Sequence, residues 1–298
     1  MAQLDLVILN YNRGDLLRVC LDSIFASRSR HMINVWVVDN ASRDESVALV
    51  RREFPQARLI VNERNSGFAA GNNLALRAIA ADAGSDYVML LNNDTVVEAD
   101  ALDQLIDYME AQDAVGAIGP KVLLLDGSLD AACRRSFPTP SVSFYRMTGL
   151  SKLFPRSPRF GRYNMTYLDP DVETEVDSLV GAAMLVRTAV VREVGVLDEA
   201  FFMYGEDVDW CYRIKALGWR IVYLPRAVIH HHKRAASTRR AIPSIRAFYD
   251  AMRIFHRKHY AQRTLAPVNW LIELGITLKE WWALGRNLLR PPARRQVG

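Results

Sequence analysis

The sequence predicts an α/β fold, a mostly parallel central sheet covered by helices on both faces and followed by C-terminal helices. Three observations lead there. Short apolar runs alternate with amphipathic segments through the first 120 residues. Those runs are almost continuously apolar, as strands buried on both faces are. From residue 243 onward the apolar spacing is helical rather than alternating.

The elements follow in order. Residues 4–9 form a first strand, and Leu16, Leu17, Cys20, Leu21 and Ile24 share one face of the helix after it. A second strand covers 34–38, and Ser42 with Glu45 has the capping-box spacing that opens a helix. Strands at 58–62, 87–91 and 114–121 flank two more helices, one opening near Gly67 and one with Leu102, Leu105, Ile106 and Met109 on its buried stripe. From 126 to 175 the pattern fades among Pro138, Pro140, Pro155, Pro158 and Pro170, so a long irregular excursion is expected. Order returns at 178–186, with helices near 189–194 and at 206–217 and a strand at 220–224. Helical segments at 243–259 and 268–289 close the chain.

Half of the 298 residues are hydrophobic and 24% charged, ordinary values for a globular protein with a sizeable core. The three cysteines, Cys20, Cys133 and Cys211, are far apart and odd in number, which favours buried thiols over disulfides. No signal-peptide pattern opens the sequence, and no stretch reaches the roughly 18 apolar residues that span a bilayer. A cytoplasmic location is therefore expected. Residues 225–298 hold 15 Lys and Arg against 3 Asp and Glu, a balance of +12, leaving −7 for residues 1–224. An acidic body suited to a metal and a basic tail suited to an anionic partner follow from that split. Nucleic acid is excluded as the partner, because no motif that reads it is present.

In parallel sheets ligands bind beyond the carboxyl ends of the strands. Those ends read Asn10-Tyr11-Asn12, Asp39-Asn40, Asn65 with Gly67 and Phe68, and Asn92-Asn93-Asp94. One such group is a turn; four on one edge make a polar pocket. An acceptor carboxylate such as Asp39 suits the N–H of a pyrimidine base. A carboxylate such as Asp94 suits the hard cation that neutralises a diphosphate. Gly67 permits close backbone approach, while the GxGxxG spacing of dinucleotide-binding turns is absent. Further along, Glu206, Asp207 and Asp209 crowd a helix start, where a carboxylate is able to take a hydroxyl proton. His230-His231-His232 offers imidazole as a further metal ligand.

Together the segments VILNYNR (7–13), VVDNAS (37–42), NSGFAAGNN (65–73), LLNNDT (90–95), GAAMLVR (181–187), GVLDEAFFMYGEDVDWCYR (195–213) and GWRIVYLPRAVIHHH (218–232) resemble family 2 glycosyltransferases of the GT-A fold, and within them bacterial rhamnosyltransferases. The resemblance implies an inverting transferase that moves a sugar, rhamnose by overall likeness, from a dTDP or UDP donor to a saccharide acceptor on a lipid diphosphate, in cell-surface polysaccharide synthesis. It implies that Asn10, Tyr11, Asn12, Asp39, Asn65, Gly67, Asn92 and Asn93 serve the nucleotide sugar. Asp94 would bind a divalent metal, Mg or Mn, with either His231 or His232. Asp207, with Glu206 beside it, would be the catalytic base, and Trp210 and Arg213 would shape the acceptor region. Asn92 stands where the family often has an aspartate. A nucleotide-sugar-binding protein without turnover is the competing reading, and the intact Glu206-Asp207 argues against it.

These assignments divide the chain into a catalytic unit, 1–240, and a helical extension, 241–298. Residues 126–175 would form its acceptor-facing or lid segment, with Phe137, Phe144, Tyr145, Tyr163 and Tyr167 free to stack on sugars or to pack the loop down. On the extension Trp270, Leu274, Leu278, Trp281 and Leu288 share one helical face, the pattern of a helix lying in a membrane surface. Docking on its own domain, or on a second copy as a homodimer, stays open as the alternative.

Overall fold

The computed structural model describes residues 1–232 and 241–289. The boundary at 240, with Lys233 and Arg234 before it, and the chain end from Arg290 lie outside the described residues. In order the elements are β1 (Gln3–Asn10), α1 (Gly14–Ala26), β2 (Met32–Asp39), α2 (Ser46–Glu53), β3 (Arg58–Val61), α3 (Gly67–Ala81) and β4 (Tyr87–Asn92). Next come β5 (Thr95–Val97), α4 (Ala101–Ala111), β6 (Val115–Leu124), α5 (Pro140–Thr148), α6 (Leu150–Leu153), β7 (Thr174–Glu175) and β8 (Ala183–Arg187). Then follow α7 (Thr188–Val194), α8 (Glu206–Ala216), β9 (Arg220–His231), α9 (Ala241–His259) and α10 (Ala266–Leu288).

One sheet runs in the order β3-β2-β1-β4-β8-β6-β9-β5, and β7 pairs with β9. The strands β3, β2, β1 and β4 are parallel, β8 runs antiparallel between β4 and β6, and β6 and β9 are parallel. Leu4, Leu6, Val7 and Ile8 of β1 are all buried, as a strand covered on both faces must be. Leu17, Cys20, Leu21 and Ile24 of α1, and Leu102, Leu105, Ile106 and Met109 of α4, join the same core.

Register positions the site. Asn10 of β1 lies opposite Asp39 of β2, and Leu9 lies opposite Asn92 of β4. The polar ends of three neighbouring strands are thus level on one edge. On the far side of the sheet the short β5 pairs antiparallel with β9, setting Thr95 opposite His231. That pairing draws Asp94, one residue earlier, toward the histidines.

Two sequence expectations need correction. The helix after β2 opens at Ser46: Asp44 accepts from the Ser46 N–H (3.1 Å), while the Ser42 hydroxyl accepts from the Asn12 N–H (2.8 Å). The capping-box spacing at Ser42 and Glu45 is therefore not used. The excursion is also more ordered than expected. Thr139 caps α5 by accepting from the Val142 N–H (3.3 Å), Pro140 sits in the first turn, and Gly149 at φ 85° ends it.

The helix α9 is built into the body. Ala251 and Phe255 pack on Phe201 and Val208, and the His259 ring lies 4.1 Å from that of Tyr212. Asp209, fully buried on α8, accepts from His259 Nε2 (2.7 Å), lies 2.8 Å from Lys258 Nζ, and holds Arg213 at 2.8 Å. In turn α10 lies on α9 through Arg253–Glu280 (2.6 Å), Arg257–Glu273 (2.6 Å) and His256–Asn269 (2.8 Å).

Candidate active site

The level strand ends form a connected polar edge. Asn10 Nδ2 donates to Asp39 Oδ2 (3.1 Å), and Asn10 Oδ1 accepts from Asn93 Nδ2 (2.7 Å). The other Asp39 oxygen accepts from the Ser42 N–H (2.8 Å). Asn40 extends the chain to Asn65 Oδ1 and to the Gly67 carbonyl, both at 3.1 Å. Asn12 turns the β1 loop at φ 54°, where asparagine is tolerated. Asp39 is only 1% exposed, so contact with a base requires the surrounding turns to part. Gly67, at φ 87°, is required twice over: an added Cβ would lie 2.3 Å from the Phe202 carbonyl oxygen. That close approach joins the start of α3 to the segment leading into α8, where the Phe68 N–H donates to the same carbonyl (2.7 Å).

A second corner holds Asp94 and His231. His231 Nε2 lies 3.1 Å from Asp94 Oδ1, and Nδ1 lies 3.3 Å from Asp130 Oδ2. Asp130 is itself fixed, its other oxygen accepting from the Ala132 N–H (3.1 Å). Burial disfavours the charged imidazole, but hydrogen bonds to Asp130 and Asp94 overcome this and lift its pKa to about 9. A site that holds a proton between two carboxylates has the charge to hold a cation in its place. One carboxylate plus one imidazole, with remaining positions left to phosphate and water, fits a divalent ion. The Asn92 amide also reaches this point, Nδ2 lying 3.4 Å from His231 Nε2, and turning it over presents a carbonyl oxygen. His230 faces elsewhere, on Glu98 (2.9 Å), and His232 meets Asp94 only by donating its backbone N–H to the Asp94 carbonyl (2.7 Å). Among the described residues, a three-ligand cluster of His31, Asp107 and Glu110 occurs where β2 begins, and Arg30 already pairs with its Asp107.

The third corner is Asp207. Its Oδ2 accepts from Arg135 Nη2 (2.7 Å) and the Gly181 N–H (3.0 Å), and its Oδ1 accepts from the Val208 N–H (2.7 Å). Arg135 also donates to the Leu179 carbonyl, and a backbone bridge between Arg135 and Ser178 sets it there. Burial works against the guanidinium charge and the Asp207 carboxylate more than restores it, so Arg135 stays charged. Glu206 Oε2 is buried without a partner; burial, and then the neighbouring Asp207, push its carboxyl well above the usual range. Asp207, held by three donors, and Glu206, whose Oε2 has none, thus sit side by side in opposite environments. Gly181 is followed by Ala182, whose carbonyl accepts from the Asn92 N–H (2.9 Å). A continuous path of contacts therefore runs from Asp207 through Gly181 and Ala182 to Asn92, and from Asn93 through Asn10 to Asp39.

Other expectations are corrected here. Trp210 is fully buried and donates to the Gly195 carbonyl (2.8 Å), while Arg213 is spent on Asp209 and the carbonyls of Val194 and Val196. Both tie α8 to the turn after α7. Of the excursion aromatics, Phe137 packs on Tyr212 (5.0 Å), Tyr145 on Phe160 (5.0 Å), and Tyr163 lies under Arg146 (4.3 Å). Tyr167 packs against the core and Phe144 is exposed. Arg135 and Asp130, which sequence reasoning passed over, are the excursion's real contribution to the site.

A parallel half-sheet with a polar carboxyl edge, a reversed β8 and a short β5–β9 pair define a glycosyltransferase of the GT-A fold. The chain belongs to glycosyltransferase family 2: the family described as "Glycosyltransferase like family 2" matches residues 2–249. It is 30% identical over 302 residues to the N-acetylglucosaminyl-diphospho-decaprenol L-rhamnosyltransferase of Mycobacterium tuberculosis, covering 99% of this chain and 96% of that protein. It is 28% identical over 245 residues to the rhamnosyltransferase WbbL of Escherichia coli K12, covering 77% of this chain and 85% of the other. Among solved structures it is similar in fold to the mannosyltransferase PcManGT of Pyrobaculum calidifontis in complex with GDP-Man and Mn2+. The TM-score is 0.55 at 17% identity, over 97% of this chain and 72% of that one.

Proposed function

We propose that the chain transfers rhamnose from a dTDP- or UDP-linked donor to a hydroxyl of a saccharide carried on a lipid diphosphate, with inversion at the anomeric carbon. Its mycobacterial relative is named for a diphospho-decaprenol acceptor and for rhamnose. The observation that carries the mechanism is Asp207 at the start of α8, held by Arg135 and the Gly181 N–H beside a Glu206 whose Oε2 is buried without a partner. Asp207 takes the proton of the acceptor hydroxyl, and that oxygen bonds to the anomeric carbon from the face opposite the leaving group. The bond from that carbon to the diphosphate oxygen breaks, and its electron pair leaves with the nucleoside diphosphate. Asp39, Asn10 and Asn65 orient the nucleotide. Asp94 and His231 would hold a divalent cation, which supplies positive charge beside the diphosphate; the solved relative bound Mn2+.

Residues 1–240 form the catalytic unit in this reading, and 241–298 a helical extension that rests on a membrane surface at the cytoplasmic side. No described helix is long and apolar enough to cross a membrane. The exposed Trp270, Leu274, Leu278, Trp281 and Leu288 of α10 support surface binding.

The test is to incubate the full chain and Mn2+ with dTDP-rhamnose or UDP-sugars and a short prenyl-diphospho-saccharide. Release of nucleoside diphosphate and the mass of the product are followed, and NMR gives the new anomeric configuration. Transfer with inverted configuration, abolished by chelator and restored by Mn2+, is the expected result. Binding of donor without turnover on any acceptor, or retained configuration, overturns the proposal.

A further inference from the structure

On α10 the side opposite the buried Ile276 is entirely apolar and open. It carries Trp270, Leu271, Leu274, Leu278, Trp281 and Trp282, the two last tryptophans 66% and 57% exposed. Of the helix's charges, Glu273 and Glu280 bind α9, while Lys279 and Arg286 border this face, 5.8 Å and 4.5 Å over the Trp282 ring. A contiguous patch of this kind on a soluble surface marks a docking site.

The helix is not alone there. An added Cβ on Gly275, on the flank of this face, would lie 3.7 Å from Met147 Cε, so α5 reaches α10 at this point. The excursion's helices too are exposed where they should be apolar-buried: Phe144 is 57%, Leu153 69% and Phe154 47% exposed. Residues 131–168 contain seven Arg and Lys and no Asp or Glu. Two of the seven, Arg134 and Arg135, are buried, and Arg135 reaches Asp207. The other five, Arg146, Lys152, Arg156, Arg159 and Arg162, belong to the same stretch as the exposed apolar side chains.

We propose that α5 and α6 join α10 in one lipid-facing platform, and that its partner is the surface of an anionic bilayer. Tryptophan and aliphatic side chains bordered by cations are what the headgroup boundary accepts, and uncompensated Arg and Lys select anionic lipid. The inference rests on the membrane reading of α10 given above and extends it to the segment that supplies Arg135. One continuous segment would then rest on the bilayer and support the catalytic base, keeping the sugar end of a lipid-linked acceptor within reach of Asp207.

The test uses the full chain in co-sedimentation with phosphatidylglycerol-containing vesicles and with pure phosphatidylcholine vesicles. Two variants are compared, Leu153→Ser with Phe154→Ser on α6, and Trp281→Ser with Trp282→Ser on α10. Thermal melting checks that both fold, and transfer to a short water-soluble acceptor is expected to stay at the parental level. The parent is expected to bind anionic vesicles preferentially, and each double variant to bind them at least roughly tenfold more weakly. If the α10 variant loses binding and the α6 variant binds like the parent, the platform is refuted while the α10 reading stands. If the parent binds neither vesicle, both fail; a dimer by light scattering that the α10 variant breaks then identifies a second copy as the occupant.

Discussion

Replacing Arg135 should move the pH at which the enzyme loses its base. Arg135 and Asp207 are about 10% and 9% exposed in their side chains, and their closest atoms are 2.7 Å apart. With charge centres about 4 Å apart and an effective dielectric of about 20, the bare attraction of the pair is about 4 kcal/mol. In Arg135→Met the N–H groups of Gly181 and Val208 still donate to Asp207, and entering water screens part of the loss. The expected change is therefore smaller than the bare pair energy. The sign is fixed: losing a positive neighbour raises a carboxylate's pKa, so the acid limb of the pH profile for kcat/KM moves to higher pH. Arg135→Lys, which keeps charge without the planar fork, should fall between. Stability should drop by about 3–5 kcal/mol, because removing one partner leaves a buried carboxylate without its cation. Rates of nucleoside diphosphate release from pH 4 to 9, with thermal melts of each variant, provide the assay. A folded Arg135→Met protein with the parental acid limb would refute the claim that Arg135 sets the ionisation of this base.

Two further outcomes follow from the other corners. Asp130→Asn removes the carboxylate that orients His231, so Mn2+ should bind roughly 10–100-fold more weakly in an EPR titration with nucleotide present; unchanged affinity would leave Asp130 without that role. Asp209 is held well below the usual carboxylate range, at about 2, because His259, Lys258 and Arg213 outweigh the burial that raises it. Its stabilising contribution, about 2 kcal/mol, is present above pH 4 and lost as pH falls through about 2. Asp209→Asn should therefore melt lower than the parent at pH 7, with the gap closing between about pH 4 and 2; a constant gap would contradict the assignment.

The strand-end edge was legible because a parallel sheet places its ligand groups at the carboxyl ends, and β1, β2 and β4 end level. Strand order and the reversed β8 were not legible, since apolar runs do not record direction. Arg135 and Asp130 were hidden in a segment without periodicity, their partners lying 72 and 101 residues away in sequence. That His231 is the buried histidine of the triplet, by contrast, was written in the strand. Ala227, Ile229 and His231 alternate inward at period two, and only His231 of the triplet continues that buried face. Trp210 was misplaced because its motif neighbours drew it toward the substrate. Its position beside Cys211 and Ile214 on the buried stripe of α8 assigns it to the core.

The central claim is that Asp207 is the base of a site whose donor-binding edge lies elsewhere on the sheet. The most direct measurement is donor binding and turnover by Asp207→Asn under one set of conditions, with calorimetry for the nucleotide sugar and mass spectrometry for the product. Donor affinity should stay within about threefold of the parent while transfer falls at least about a hundredfold. Transfer at the parental rate would contradict the assignment, and loss of donor binding along with activity would place Asp207 in the donor site instead.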